Sequence, residues 1–167
     1  GIRWRTIFNM KAIKQMHAVF ETYTGLTIDV LNPLPEMIDI LDIAKALSNI
    51  CRSGGHREFL SVAQHSCLVC DLAPKELKPV ALLHDSAEAY LGDLISPLKY
   101  HMPGFRATET TLLSVILEKY NVDYTLYRDI KEYDQKAYEM EKGIMGWFPH
   151  KAEVEFLHRF YKYVEGR

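Results

Sequence analysis

The sequence predicts an all-α domain, a helical bundle of about six or more helices. Three observations predict it. Beyond residue 35, apolar residues recur at spacings of three and four. Proline, glycine and serine punctuate those stretches where helices start and stop. Strand signals are almost missing, with residues 27–31 the one short candidate.

The elements follow in order. Gly1 in place of Met points to a processed or engineered end, so residues 1–10 stand outside the domain argument. They hold two arginines but no long apolar run, and no signal peptide is read there. Residues 11–20 read as a short helix. Residues 22–35 read as irregular, broken by Gly25, Asn32, Pro33 and Pro35. Over 35–51, Ile40, Ile43, Ala44 and Leu47 form a helical stripe that Ser53-Gly54-Gly55 ends. Ser61-x-x-Gln64 is a capping-box pattern before Cys67, Leu68 and Val69, and Pro74 closes that helix. Pro79 suits a first helical turn; Val80, Leu83 and Ala87 follow, and Gly92 suits a left-handed cap. After a loop with Ser96-Pro97 and Met102-Pro103-Gly104, a long helix runs from about Phe105 through Leu112, Val115 and Ile116. Ile130, Tyr133, Ala137 and Met140 mark another over 125–142. Pro149 precedes a last amphipathic helix over 152–164, whose aromatic face is a candidate homo-oligomer interface.

The chain of 167 residues suits one domain, and 48% hydrophobic residues suffice for a core. A net charge of −2 offers no field for gripping a nucleic-acid polymer or an anionic membrane, while small anionic ligands remain open. No run approaches the roughly 20 apolar residues that cross a bilayer. Three cysteines, an odd count, fit reduced thiols in a cytoplasm better than a disulfide framework. Cys67-x-x-Cys70 lacks the βαβ context of a redox pair and reads as part of a helix face.

One apolar helix carries chemistry: Leu82-Leu83-His84-Asp85-Ser86-Ala87-Glu88. A buried charge needs a partner or a metal. At about 100° per residue, Glu88 falls about 40° from His84 and about 60° from Asp85, so the three share one sector. His65 stands on the apolar side of the preceding helix, beside Val62 and Val69. Cys67 and Cys70 lie about 200° and about 140° from it, which rules out a joint zinc site on that helix. A lone core histidine is more often hydrogen-bonded than ligating; His65, His84, Asp85 and Glu88 on two adjacent apolar helices argue for ligation.

Four segments carry a family resemblance: Asp42-Ile43-Ala44-Lys45-Ala46-Leu47-Ser48-Asn49-Ile50-Cys51-Arg52, Ser61-Val62-Ala63-Gln64-His65-Ser66, Ala81-Leu82-Leu83-His84-Asp85-Ser86-Ala87-Glu88-Ala89-Tyr90 and Gly92-Asp93-Leu94-Ile95-Ser96-Pro97-Leu98-Lys99. In this order they resemble the HD-domain phosphohydrolases, in the compact branch of bacterial 5′-deoxynucleotidases and phage or prophage nucleotide hydrolases, dATP triphosphohydrolases among them. The resemblance runs from about residue 22 to 164. It implies one HD domain over 1–167, acting in the cytoplasm (the host's, if phage-encoded), and a divalent metal held by His65, His84, Asp85 and a later aspartate. Asp134, three before Ala137, fits the last slot by the family spacing; Asp129 is its rival, and the helical wheel does not choose between them. Glu132-Tyr133 departs from the small residues usual before that aspartate.

A two-imidazole, two-carboxylate set suits Mn²⁺, Co²⁺ or another first-row ion, with Zn²⁺ or Mg²⁺ also admitted. The expected reaction is hydrolysis that removes phosphate or triphosphate from a deoxynucleotide such as dATP or dAMP. Glu88 is the candidate general base and Asp93 its assistant. Arg52, Lys99 and His56 are candidates for the phosphate. The aromatic neighbour that relatives carry beside the matching arginine is replaced by Ser53-Gly54-Gly55, which leaves Tyr23, Phe59 and Tyr90 unranked for the base. A cyclic-nucleotide or alarmone hydrolase and a non-catalytic module with a vestigial site are the rival readings.

Overall fold

The structure, a computed structural model, describes residues 16–166. The end at 1–10 and the first half of the helix expected over 11–20 lie outside the described residues. The second half is not helical. Val19–Glu21 (β1) pairs antiparallel with Thr27–Asp29 (β2), with Phe20 opposite Ile28. Turn chemistry overrides the helical pattern here. Gly25 takes a φ of +85° between the strands, a value glycine adopts without strain. The Asp29 carboxylate accepts from His17, Asn32 and the Ala18 and Leu31 backbone N–H groups. Thr22 and Thr24 donate to the buried Asp42, which ties the hairpin to the bundle.

The rest is helical: α1 Ile40–Asn49, α2 Val62–Leu72, α3 Lys78–Leu83, α4 Glu88–Leu91, α5 Ser96–Tyr100, α6 Pro103–Lys119, α7 Lys131–Met140 and α8 Pro149–Tyr163. The all-α class expected from the apolar periodicity is what the described residues form. Helix α2 is the hub and packs against α1, α3, α7 and α8. Its residues from Val62 to Cys67 are all buried, as befits a helix covered on every side. Ile43, Leu47, Leu82, Leu83, Leu112, Ile116, Phe156 and Phe160 complete a single core.

Three boundaries depart from expectation for local reasons. Ser61 caps α2, and its Oγ accepts the Gln64 N–H at 3.1 Å. The second half of the capping box is diverted: the Gln64 amide donates to the Met145 carbonyl and accepts from the Trp147 N–H. The helix expected from Pro79 to Gly92 is broken. Residues 84–87 form a tighter turn in which Ser86, Glu88 and Ala89 donate to carbonyls three residues back. Gly92 keeps a positive φ of 82°, but its ψ of 165° sends the chain out extended instead of forming the left-handed cap. Likewise 125–142 divides into a 3-10 segment, Tyr124–Ile130, and α7.

Candidate metal centre

His65 and His84 are turned toward each other by what their other nitrogens do. His65 Nδ1 lies 2.5 Å from Glu141 Oε1, and His84 Nδ1 lies 2.7 Å from the Ala81 carbonyl oxygen. Both partners are acceptors, so Nδ1 is the protonated nitrogen in each ring and Nε2 carries the lone pair of the neutral form. The two Nε2 atoms stand 3.3 Å apart. Asp85 Oδ2 lies 3.1 Å from His84 Nε2 and 3.5 Å from His65 Nε2. Asp134 Oδ1 lies 3.0 Å from His65 Nε2 and 3.7 Å from His84 Nε2. Donors bound at about 2.1 Å to one ion stand about 3 Å apart when cis and about 4.2 Å when trans. His65, His84 and Asp134 each bring a donor within 4.8 Å of the other two. The chemistry and spacing of this N/O set fit one divalent ion. Asp129, the rival for the fourth place, is exposed on the 3-10 segment, and Asp134 faces the imidazoles instead.

The electrostatics agree. Burial opposes ionisation of Asp85 and Asp134, but the facing imidazoles hold both carboxyls below the usual range. Burial opposes charge on His84 too; the Asp85 and Asp134 carboxylates outweigh it and hold the ring well above its ordinary pKa. Cys67 and Cys70 are buried and unpaired. Burial pushes both thiols up, Cys70 to about 12, and both pack in the core.

The tight turn moves Glu88. Side chains three apart eclipse in a 3-10 turn, so Asp85 and Glu88 share a side more closely than the regular helix implied. Glu88 is buried, and among the described residues none hydrogen-bonds its Oε2. Burial, with the Asp85 and Asp93 charges, pushes its carboxyl up to about 10. Asp93 is raised as well, first by burial and then by Asp85, against the pull of Arg52.

Arg52 stands among these acids. Its Nε is 3.3 Å from Glu141 Oε1, an ion pair off the line that a hydrogen bond requires, and its Nη1 is 3.9 Å from Asp93 Oδ2. It opens the 3-10 turn Arg52–Gly55, in which Ser53 takes a φ of +56°. A non-glycine residue there is strained, and such strain tends to gather at functional sites. Lys99 reaches the centre from α5, with Nζ 3.8 Å from Glu88 Oε1, but Glu109 on α6 holds it at 2.7 Å. His56 is exposed on the loop, and no described contact joins it to the centre.

A pocket opens beside these ligands. His84, Asp85, Ala87, Glu88, Lys99, Glu109, Thr110, Leu113, Tyr124 and Tyr127 line it. The two tyrosines, three apart on a 3-10 segment, eclipse and stack at 5.7 Å with planes 9° apart. Tyr23, Phe59 and Tyr90, the aromatics expected to seat a base, do not line it. Tyr23 is exposed with its ring beneath Lys45, Phe59 is partly exposed, and Tyr90 is buried in the core. Sequence reasoning also missed Glu141. Its signal was present: Asp134, Ala137 and Glu141 follow at spacings of three and four on one helical face.

No family model matches the chain. It is 41% identical over 110 residues to YfdR, an uncharacterised Escherichia coli protein, covering 65% of this chain and 62% of that protein. It is 38% identical over 86 residues to an uncharacterised Rhodobacter capsulatus protein, covering 46% of this chain and 44% of that one. The chain thus spans less than two thirds of the length of these curated relatives.

Proposed function

We propose that this chain is a divalent-metal-dependent phosphohydrolase of the HD-domain type that removes phosphate or triphosphate from a nucleotide, a deoxynucleotide such as dATP or dAMP foremost. One observation carries the reading. Two imidazoles with their Nδ1 atoms already engaged aim Nε2 at a point shared with the Asp134 carboxylate, and Asp85 Oδ2 stands beside both Nε2 atoms, with a buried carboxyl and an arginine alongside. Five acids gather here (Asp85, Glu88, Asp93, Asp134 and Glu141) against two fixed cations, Arg52 and Lys99. So much negative charge repels a phosphate unless a cation offsets it.

His65, His84 and Asp134, with Asp85 beside them, would hold a divalent ion, which would supply Lewis-acid polarisation of a phosphoryl oxygen and a lowered pKa for water. The protein's own groups do the rest. Glu88 has an oxygen without a hydrogen-bond partner among the described residues. The charge of a cation held beside it would offset burial and the Asp85 and Asp93 repulsion that together raise its carboxyl, so that Glu88 is ionised and takes the proton of the attacking water. Asp93 braces Arg52, whose guanidinium grips the phosphate with charge-assisted hydrogen bonds. Lys99, engaged by Glu109, positions Glu88 more than it binds phosphate. The stacked pair Tyr124–Tyr127 and the apolar Ala87 and Leu113 offer the nucleoside a seat beside the centre.

The test is a screen of all deoxynucleoside mono- and triphosphates, cyclic nucleotides and alarmones with Mn²⁺ and Co²⁺, with products separated by chromatography. Release of phosphate or triphosphate from a deoxynucleotide is expected. Turnover of cyclic nucleotides alone moves the assignment to the rival hydrolase class. No turnover, together with substoichiometric metal in protein purified without chelator, favours a binding module.

A further inference from the structure

We propose that Glu141 is a positioning residue that couples the candidate metal ligand His65 to Arg52, so that cation and anion binding share one carboxylate. The inference rests on the metal reading above. The same atom, Oε1, faces both partners: His65 Nδ1 at 2.5 Å and Arg52 Nε at 3.3 Å. The side chain is 3% exposed, so neither interaction is diluted by solvent. Glu141 directly follows α7, the helix that carries Asp134, and one short stretch therefore supplies both a ligand and the group that orients another.

The two imidazoles are held differently. His84 gives its Nδ1 proton to a neutral carbonyl, and His65 gives its own to a carboxylate. A carboxylate acceptor fixes the tautomer and raises the basicity of Nε2, which strengthens the hold on a cation. The Glu141 charge also offsets the neighbouring guanidinium, which otherwise repels that cation. The same oxygen pairs with Arg52 at Nε. Released from it, the guanidinium collapses onto Asp93, already 3.9 Å from Nη1, and withdraws from an incoming phosphate.

The test compares wild type with Glu141→Gln and Glu141→Ala, using Co²⁺ alone and then inorganic phosphate on the Co²⁺-loaded protein. Cobalt affinity and the visible ligand-field spectrum report the His65 side; calorimetric phosphate affinity reports the Arg52 side. Co²⁺ affinity falls about 10–100-fold in Glu141→Ala and less in Glu141→Gln, which keeps an acceptor oxygen but loses the charge. The ligand-field bands shift in both variants, and phosphate binds about tenfold more weakly. If Glu141→Ala does not fold, the near-isosteric Glu141→Gln carries both measurements. Wild-type Co²⁺ affinity, spectrum and phosphate affinity in a folded variant overturn the coupling and leave the metal reading intact. Failure of the wild type to bind Co²⁺ overturns both.

Discussion

Glu88 is held where its charge is unwelcome, and two predictions follow at the residue scale. Glu88→Gln keeps the shape of the side chain but takes no proton. Metal content is expected to persist while turnover falls about 10²–10⁴-fold; a fully active variant assigns the proton transfer elsewhere. The second concerns pH. In protein stripped with a chelator, the folded carboxyl sits at about 10 against an ordinary 4.5. A raised acid contributes stability that is whole below about 4.5 and is lost as pH climbs toward about 10, because the fold retains a proton that the unfolded chain releases. The melting temperature of the chelated protein is expected to decline across that window, and Glu88→Gln to flatten the decline. An identical slope in the variant shows that another group sets it. His84→Ala and Asp85→Ala differ in kind: each removes an inward-facing donor, so metal content by elemental analysis and turnover are expected to vanish together.

At the scale of elements, the start of α2 matters most because that helix presents His65. Its cap is a single side-chain bond, Ser61 Oγ to the Gln64 N–H, inside the protein. Ser61→Ala leaves that N–H unsatisfied and is expected to cost about 1–2 kcal/mol, read as a lower denaturant midpoint with an unchanged slope. The capping pattern was visible in the sequence, as were α1, α6 and α8, because spacing of three and four survives whatever the helix packs against. The tightened turn at 84–87 was not visible. Its residues suit a helix as well as a 3-10 turn, and the tighter winding that eclipses Asp85 and Glu88 sits between α3, packed on α2, and α4, packed on α1. Of the hairpin at 19–29, the strand Thr27–Asp29 lies within the short candidate at 27–31, while its partner Val19–Glu21 was hidden for a related reason: carboxylate bonds from Asp29 and Asp42, reaching across the sequence, outweigh a weak local helical pattern.

At the scale of the whole molecule, the four candidate ligands come from α2, the turn after α3, and α7, spread over some 70 positions of sequence. A cation at their meeting point therefore clamps separate parts of the core. Mn²⁺ or Co²⁺ at about 100 times its dissociation constant is expected to stabilise the fold by about 2.7 kcal/mol, seen as a raised melting temperature that chelator reverses and that His65→Ala abolishes. An unchanged melting temperature in the wild type argues that the cluster takes no ion. No helix among the described residues is long and apolar enough to cross a membrane, in keeping with the absence of such a run in the sequence. The sequence by itself determined the helical class, most of the helices and the identity of His65, His84 and Asp85 as a polar interruption of apolar faces, since periodicity and composition are local properties. The tertiary structure alone brought Asp134, and not Asp129, beside the imidazoles, added Glu141, and put the Tyr124–Tyr127 pair beside the centre in place of Tyr23, Phe59 and Tyr90. Each of those depends on which helix packs against which, and distances between remote segments are set by the filling of the core.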